Sequence, residues 1–293
     1  MSDLPELIPT PHLDALIDLA LAEDLGRGDP TGALIPRDAT AEMVLEARGP
    51  LVFCGAPVVD RLLWRFGPGA PAVEWVAVDG ARVERGEVIA RLRGRLRTLL
   101  ALERTTLNFV QRMSGVATLT RRYVDAIAGT SARLVDTRKT VPGWRLLDKY
   151  ATRVGGAHNH RFALDGGVLV KDNHLAAAGG VAAAIEAARR QAPHVLRIEV
   201  EVEDLAGLDA ALAAGADVVL LDNFTPAQVE DAVKRARAAG GRALIEASGG
   251  IDLTTIRAFA EAGVDLIAVG ALTHSATAVD IAAEIAAAAE SAR

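Results

Sequence analysis

The chain has 293 residues, of which 51% are hydrophobic and 24% are charged, so it can bury a large core and keep a polar surface. This length suggests one or two domains. The formal net charge of −6 argues against nucleic acid as a partner.

The cysteine content and the N-terminal residues bear on the compartment. Cys54 is the single cysteine, so an internal disulfide and a zinc site built on paired cysteines are both excluded. The opening residues lack the basic start and the apolar core of a signal peptide. No apolar run reaches the roughly 18 residues of a membrane span. We therefore expect a cytoplasmic protein that has no membrane partner.

The first part of the chain predicts helices around a β-rich stretch. Residues 11–26 have the pattern of an amphipathic helix that ends at Gly26. Residues 41–97 consist of short β-prone runs separated by glycines. Residues 98–128 are again helical in pattern.

From about residue 133 the pattern changes to short apolar runs that alternate with helical segments. The apolar runs are ARLVD, GGVLVKD, LRIEVEVE, DVVLLDN, RALIEAS and DLIAVGA. Repeated β-then-α units predict a parallel sheet with helical crossovers. We expect a closed or nearly closed β/α barrel, with a doubly wound sheet as the alternative. The Ala-rich segment at about 277–292 predicts a last helix that packs on the N-terminal region.

Positive charge is concentrated between Arg133 and Lys171. This segment holds eight basic and three acidic residues, so it is net +5 in an acidic chain. Such a local concentration suggests a cleft for a small anionic ligand, although a solvated basic surface is the alternative. Among 32 basic residues only four are lysines, and Lys139, Lys149 and Lys171 all lie here. A lysine kept in so arginine-rich a chain hints at a site that needs a compact ammonium group.

Polar residues follow most of the predicted barrel strands. They include Asp136 after the first strand, Lys171 after the second, Asp222 after the fourth and Glu246 within the fifth. The carboxyl ends of the strands and the loops beyond them build the active sites of β/α barrels. Any one of these residues could simply cap a loop, but the set together favours a functional site.

One predicted strand carries three acids in alternation with apolar residues. Glu199, Glu201 and Glu203 therefore share one face, which would be the barrel interior. Buried acids need cations, a metal or ligand hydroxyl groups as partners. Glu201 and Asp222 form a carboxylate pair that could bind Mg²⁺ or hold ribose hydroxyls. A salt-bridged core is the alternative.

Glycines after the last two predicted strands indicate a phosphate site. Ser248, Gly249 and Gly250 precede a predicted helix, and Gly270 with Ala271 follows the final strand. Glycines let backbone N–H groups approach a phosphate, and barrels often hold phosphate between these two loops. The alternative is a pair of ordinary glycine turns. His274 could add a donor or face solvent.

Several blocks of the chain resemble one known family, in the right order and over nearly the whole length. They are ALAEDLGRGDPTG, ERTTLNFVQRMSGVAT, DTRKTVPGWRLLDKYA, GGAHNHRFALDGGVLVKDNH, IEVEVE, VVLLDNF, EASGGI and AVGALTHS. These blocks resemble quinolinate phosphoribosyltransferases. The resemblance implies an α/β protein with an N-terminal α/β sandwich domain at 1–112. An open, irregular, TIM-like β/α barrel would follow at 113–276, and the helix at 277–293 would pack on the first domain.

The resemblance also implies an activity. The family converts quinolinate and phosphoribosyl pyrophosphate to nicotinate mononucleotide, CO₂ and pyrophosphate, needs Mg²⁺ and serves NAD biosynthesis. It implies a homodimer, or a higher assembly, in which each active site borrows residues from the partner subunit. Neither nucleic acid nor a membrane is implied.

Residue roles carry over by motif. Arg138 and Arg161 would grip the two quinolinate carboxylates, with His160 beside them and Arg104 reaching in from the other subunit. Thr137 would be a further substrate contact. No role is implied for His158 or Trp144.

The remaining roles concern the sugar phosphate and the reacting centre. The resemblance implies that Lys139 and Lys171 lie near the pyrophosphate, and that Glu201 and Asp222 hold the ribose and its Mg²⁺, directly or indirectly. The 5′-phosphate would be bound by Ser248, Gly249, Gly250, Gly270 and Ala271, with His274 as a further substrate contact.

Three rival interpretations remain open. The first is a paralogous group associated with molybdenum transport, which shares the DTRKT block. The second is a phosphate-binding barrel isomerase or aldolase in which Lys171 forms a Schiff base. The third is a ligand-binding protein that uses the same barrel mouth without catalysis.

Overall fold

The structure is a computed structural model, and it describes residues 6–7 and 10–286. The chain forms two compact units. The first contains residues up to Arg121, Val141–Gly156 and the residues from Ala276 onward. The second contains Arg122–Thr140 and Ala157–Ser275. The first unit therefore takes in residues 113–121 and 141–156, which the predicted boundary at 112/113 assigns to the barrel.

Helices and strands alternate in the second half of the chain, as the sequence pattern predicts. The α-helices are α1 (Pro11–Leu25), α2 (Ala56–Phe66), α3 (Leu96–Ala126), α4 (Arg145–Val154), α5 (Asp172–Ala178), α6 (Val181–Gln191), α7 (Leu205–Ala213), α8 (Pro226–Ala238), α9 (Ile256–Glu261) and α10 (Ala271–His274). The strands are β1 (Thr40–Ala47), β2 (Leu51–Val52), β3 (Ala72–Trp75), β4 (Arg82–Val83), β5 (Val88–Arg95), β6 (Arg133–Val135), β7 (Val168–Val170), β8 (Ile198–Val202), β9 (Val218–Asp222), β10 (Leu244–Ser248), β11 (Leu266–Ala268) and β12 (Ile281–Ala286). Among the described residues, no helix has both the length and the apolar character that crossing a membrane requires.

The first unit is built on an antiparallel sheet in the order β12-β1-β5-β3. Its strands bury alternate residues, as Met43 and Leu45 show in β1. These side chains join residues of α1, α2, α3 and α4 in one apolar core. Helix α1 begins where the Thr10 side chain accepts a hydrogen bond from the Leu13 N–H, and Gly26 ends it. This arrangement confirms the predicted α/β class of the N-terminal domain.

The C-terminal segment corrects one prediction. Residues 281–286 form strand β12, which pairs antiparallel with β1 from Glu42↔Ala286 to Ala47↔Ile281. We expected a helix at 277–292, because alanine is the strongest helix former. The hydrogen bonds that the edge of β1 offers outweigh that local preference here. The expected segment beyond residue 286 lies outside the described residues.

The second unit is the predicted barrel. Its strands are parallel and run in the order β6-β11-β10-β9-β8-β7. An isolated parallel bridge joins Val135 to His158 next to β6. From β7 onward, α-helices separate successive strands of this unit, which is the β/α repeat. The sheet is open between β6 and β7 within the described residues, so the barrel is the open, irregular type.

Parallel strands of one sheet bring their carboxyl ends to a common edge. The ends of β6 to β11 therefore place Thr137, Lys171, Asp222, Ser248 and Gly270 along one rim. This rim is where the sequence predicts the site.

Candidate active site

A cavity of about 300 Å³ lies in the barrel at the carboxyl ends of its strands. This volume is at the lower end of the range for small-molecule pockets. Its walls carry nine of the residues predicted to form the site. The lining residues are Thr137, Arg138, Lys139, His160, Arg161, Leu169, Lys171, Glu201, Leu220, Asp222, Glu246, Ser248 and Ala268.

Two half-buried guanidinium groups share this cavity. Burial lowers the pKa of Arg161, and the positive charge of Arg138 lowers it further, while the Glu199 carboxylate opposes the shift. Arg161 Nη1 donates to the Gly167 carbonyl at 2.8 Å, which fixes its direction. Two cations held close together in a partly dry cavity repel each other, and a bound dianion would relieve that repulsion.

A buried carboxylate organises the loop that carries Arg161. Asp136 accepts a hydrogen bond from the His160 backbone N–H at 2.8 Å and from Asn159 Nδ2 at 2.7 Å. Asp136 directly follows β6, so it ties this loop to the adjacent strand. The sequence signals Asp136 as a polar strand end, but nothing in the pattern singles out Asn159.

The two predicted lysines are held in different ways. Lys171 precedes α5, its backbone N–H donates to His174 Nδ1 at 3.0 Å, and its ammonium group pairs with Glu201. Lys139 is held by its backbone. Its N–H donates to Thr137 Oγ1 at 3.0 Å, and its carbonyl accepts from Thr273 Oγ1 at 2.8 Å.

The predicted carboxylate pair lies on neighbouring strands. Glu201 is near the end of β8 and Asp222 ends β9, and both are half-buried and line the cavity. Asp222 accepts from Asn223 Nδ2 at 2.8 Å. Carboxylate oxygens are the ligands that Mg²⁺ prefers, usually one or two from protein together with phosphate oxygens. This donor set therefore fits Mg²⁺. Glu203 lies beyond the end of β8 and is exposed.

The loop after β10 requires glycine. Gly249 and Gly250 have φ of +97° and +61°, where side chains are disfavoured. A Cβ on Gly249 would lie 2.2 Å from Asn223 Oδ1. The following helix begins only at Ile256, so the loop backbone and Ser248, rather than a helix N-terminus, form this part of the cavity edge.

The loop after β11 comes close to Lys139. A Cβ on Gly270 would lie 3.0 Å from Lys139 Cδ and 3.2 Å from His274 Nε2. Ala271 begins the short helix α10, which ends at His274. Gly270 therefore lies against Lys139, and the phosphate site between the two glycine loops stays a prediction.

Three residues discussed in the sequence lie elsewhere. Arg104 is exposed on α3 and belongs to the first unit. Trp144 stacks on Phe109, with ring centroids 5.2 Å apart, so it has a packing role. His158 is exposed and lines a second barrel cavity of about 310 Å³.

Between the two cavities, the predicted site residue His160 lies next to two buried acids, Glu199 and Glu246, for which the sequence predicts no individual role. His160 Nε2 lies 3.0 Å from Glu199 Oε2 and 3.7 Å from Glu246 Oε1. His160, Arg161 and Glu246 line both cavities. The sequence marks Glu246 as an acid within an apolar strand and Glu199 as one of three acids on one strand face, but it does not place either of them beside His160.

Family models and individual relatives of known name all point to the same family. The model of the C-terminal domain of quinolinate phosphoribosyl transferase matches residues 116–284, and the model of its N-terminal domain matches residues 29–114. A nicotinate-nucleotide pyrophosphorylase (carboxylating) of Mycobacterium leprae is 44% identical over 265 residues, which cover 89% of this chain and 93% of that protein. The protein of the same name from Homo sapiens is 39% identical over 276 residues, covering 94% and 92%.

A solved structure agrees with the sequence relatives. The nicotinate-nucleotide pyrophosphorylase from Francisella tularensis superposes with a TM-score of 0.91 at 37% identity, covering 98% of this chain and all of that one. Family models span most of the chain, and relatives well above 30% identity cover nearly all of it. The chain belongs to the quinolinate phosphoribosyltransferase family.

Proposed function

We propose that this enzyme transfers the phosphoribosyl group of phosphoribosyl pyrophosphate to quinolinate and releases CO₂. The products are nicotinate mononucleotide and pyrophosphate, and the reaction belongs to de novo NAD biosynthesis. The observation that carries the proposal is one barrel cavity in which two guanidinium groups lie near a glycine-rich loop and a carboxylate pair. The names of the relatives agree with this reaction.

The dicarboxylate binds at the guanidinium side of the cavity. Arg138 and Arg161 each offer a planar fork of donors, which matches a carboxylate with two parallel hydrogen bonds. Two such forks at fixed positions bind a ligand with two adjacent carboxylates more tightly than a ligand with a single carboxylate. This arrangement favours quinolinate over a pyridine with a single carboxylate.

The sugar phosphate binds at the glycine side. The backbone N–H groups of residues 248–250 and of Gly270 and Ala271 would bind the phosphate, with Lys139 and His274 close to Gly270 as further donors. Gly249 packs directly against Asn223 and leaves no room for a side chain, so this conformation of the loop requires glycine.

Bond cleavage at the ribose builds positive charge on the anomeric carbon as pyrophosphate departs. The carboxylates of Glu201 and Asp222 stabilise that charge and hold the ribose hydroxyls. Lys139 and Lys171 stabilise the departing pyrophosphate. Mg²⁺, when bound by Glu201 and Asp222, would neutralise charge on the pyrophosphate oxygens.

The pyridine nitrogen then attacks the anomeric carbon and becomes cationic. The bond from the ring to the adjacent carboxylate breaks, and its electron pair stays on the ring carbon next to N⁺. A proton then replaces CO₂ on that carbon. The positive nitrogen stabilises this electron pair, so the step requires no residue as a covalent nucleophile.

The assembly is proposed as a homodimer, or a multiple of it, in the cytoplasm. Arg104 is exposed on α3, so its side chain can contribute to the active site of a second copy. This guanidinium would add a third positive charge for the dicarboxylate.

The Schiff-base alternative is disfavoured by one contact. The ammonium group of Lys171 pairs with Glu201, whereas a Schiff-base lysine must be neutral to attack a carbonyl. Borohydride with a carbonyl substrate should therefore leave Lys171 unmodified.

The proposal is tested by product analysis. Purified enzyme with Mg²⁺, quinolinate and phosphoribosyl pyrophosphate should yield nicotinate mononucleotide, pyrophosphate and CO₂ in equal amounts, identified by mass spectrometry and by release of labelled CO₂. Binding of both substrates without any of these products would overturn the proposal in favour of a silent binding protein.

A further inference from the structure

The buried cluster of His160, Glu199 and Glu246 sets the protonation of the imidazole. The Arg161 backbone N–H donates to His160 Nδ1 at 2.8 Å, so Nδ1 carries a lone pair. The ring proton is therefore on Nε2. Nε2 lies 3.0 Å from Glu199 Oε2 and donates to it. His160 is thus a neutral imidazole in its Nε2–H form, oriented by Glu199.

Two acidic side chains, Glu199 and Glu246, lie next to this neutral imidazole, and their protonation states follow from their burial. Glu199 is 7% and Glu246 is 1% exposed, and Oε1 of each has no hydrogen-bond partner within the described structure. Two carboxylates buried side by side repel each other, and neither Oε1 receives a hydrogen bond, so one of the two acids holds a proton.

Glu246 is the acid that holds the proton. Burial raises its pKa to about 8, and the negative charge of Glu199 raises it as well, whereas only a protonated His160 would lower it. At pH 7 the Glu246 side chain is therefore mostly a neutral carboxylic acid. Other charged or titratable groups also surround this cluster. Arg133, His158 and Arg197 line the second cavity with it, and Asp136 accepts a hydrogen bond from the His160 N–H. On the side of the first cavity the groups are Arg138, Lys139, Arg161, Lys171, Glu201 and Asp222.

A metal ion is the competing explanation. One ligand atom from each of the three residues lies within 4.8 Å of the others, which is close enough for a shared ion. A metal at Nε2 would need the lone pair there and a proton on Nδ1. The Arg161 N–H that points at Nδ1 opposes that tautomer. The geometry therefore favours a proton over a metal.

We propose that Glu246 is a protonated positioning residue that, together with Glu199, holds His160 in its Nε2–H form and keeps the floor of the quinolinate cavity positive. His160, Arg161 and Glu246 line both cavities of the barrel, so they form the floor between them. This inference rests on the proposed function, because it assigns these residues to quinolinate binding.

The consequence is a pH-dependent affinity. When Glu246 loses its proton, a second negative charge appears in the cavity that contains Arg138 and Arg161, and binding of a dianion weakens. Because its folded-state pKa is raised, the acid is neutral below about pH 8 and ionises above it. For a single group of this pKa, the quinolinate KM should rise roughly tenfold from pH 7 to pH 9. The phosphoribosyl pyrophosphate KM should not follow it.

The test compares pH dependences rather than activities at one pH. Glu246→Gln keeps the shape of the neutral acid but cannot ionise, so the ratio of quinolinate KM at pH 9 to that at pH 7 should fall to about one after correction for any other titration. Glu230→Gln, on the exposed face of α8, is the matched control and should keep the wild-type ratio. A Glu246→Gln variant that retains the full alkaline rise would overturn the inference.

A second measurement does not depend on turnover or on folding of the variant. The infrared spectrum of the wild-type enzyme without substrate should contain the carbonyl band of a buried carboxylic acid at pH 7, which disappears above pH 9. Absence of that band, or a stoichiometric metal ion lost on mutation of Glu199, would contradict the proposal. Failure of the proposed function would instead appear as no quinolinate-dependent pyrophosphate release by the wild-type enzyme.

Discussion

The guanidinium pair is the residue-scale feature on which substrate choice depends. Arg138→Ala should raise the quinolinate KM about 100-fold, because a charge-assisted bidentate contact contributes roughly 3 kcal/mol. The KM for phosphoribosyl pyrophosphate should change less than about threefold, since Arg138 does not face the glycine loops in the proposed arrangement. Steady-state kinetics with each substrate varied in turn measures both.

Arg235→Ala is the control for this prediction. Arg235 is an arginine on α8 with an exposed ion pair to Asp209, and its loss should alter neither KM. An equal rise of both KM values in Arg138→Ala would contradict the role assigned to the guanidinium.

Gly249 permits a second residue-scale prediction. Gly249→Ala should weaken phosphoribosyl pyrophosphate binding at least tenfold, because its Cβ would lie 2.2 Å from Asn223 Oδ1 and would displace the loop. Gly240→Ala is the matched control, since Gly240 has φ +108° but open space around a Cβ. Both variants carry backbone strain, and only the first should lose affinity in a titration with the sugar phosphate.

The sequence predicts which polar residues lie at the ends of the barrel strands, but it does not give the distances between their side chains. Lys139, Lys171 and Asp222 were identified from their position after apolar runs, and the structure brings them to one cavity. The partnership of His160 with Glu246 joins residues that are 86 positions apart, and no pattern encodes their separation of 3.7 Å.

At the scale of single elements, the N-terminus of helix α8 is determined by the local sequence. Thr225 and Gln228 form a capping box, with the Thr225 N–H donating to Gln228 Oε1 at 2.8 Å, and Pro226 begins the helix. Thr225→Ala should cost about 1 kcal/mol and lower Tm by about 2–4 °C without altering either KM.

Calorimetry of Thr225→Ala beside Thr225→Ser checks this expectation. The serine variant keeps a hydroxyl at the cap, so it should retain most of the stability that the alanine variant loses. If serine destabilises as much as alanine does, the cap is not the source of the effect.

The last strand shows where element prediction failed. The residues IAAEIA of β12 have high helix propensity, yet they pair with β1 along six registered positions. Propensity is a property of neighbouring residues, whereas the partner strand lies about 240 residues earlier in the chain. By contrast, the repeated β/α pattern of the barrel was predictable because each unit repeats the same local signal.

At the scale of the whole molecule, the shared active site remains a prediction. Arg104→Ala chains and Lys139→Ala chains should each be nearly inactive alone. If Arg104 serves the site of its partner, each mixed dimer contains one site with both native residues. Equal mixing should then restore about a quarter of wild-type activity, because half of the dimers are mixed and one of their two sites is intact.

This rescue is measured after the two variants are unfolded and refolded together, with each variant refolded alone as the control. Activity of the mixture no higher than the mean of the separate variants would show that Arg104 does not act across a subunit interface.

The proposed reaction depends on a barrel cavity that selects a pyridine dicarboxylate. The most direct measurement is the rate of pyrophosphate release from phosphoribosyl pyrophosphate with quinolinate or with nicotinate as the acceptor. The arrangement of Arg138 and Arg161 predicts release with quinolinate and a rate at least 100-fold lower with nicotinate at equal concentration. Equal rates with the two acceptors, or release that does not depend on an acceptor, would contradict it.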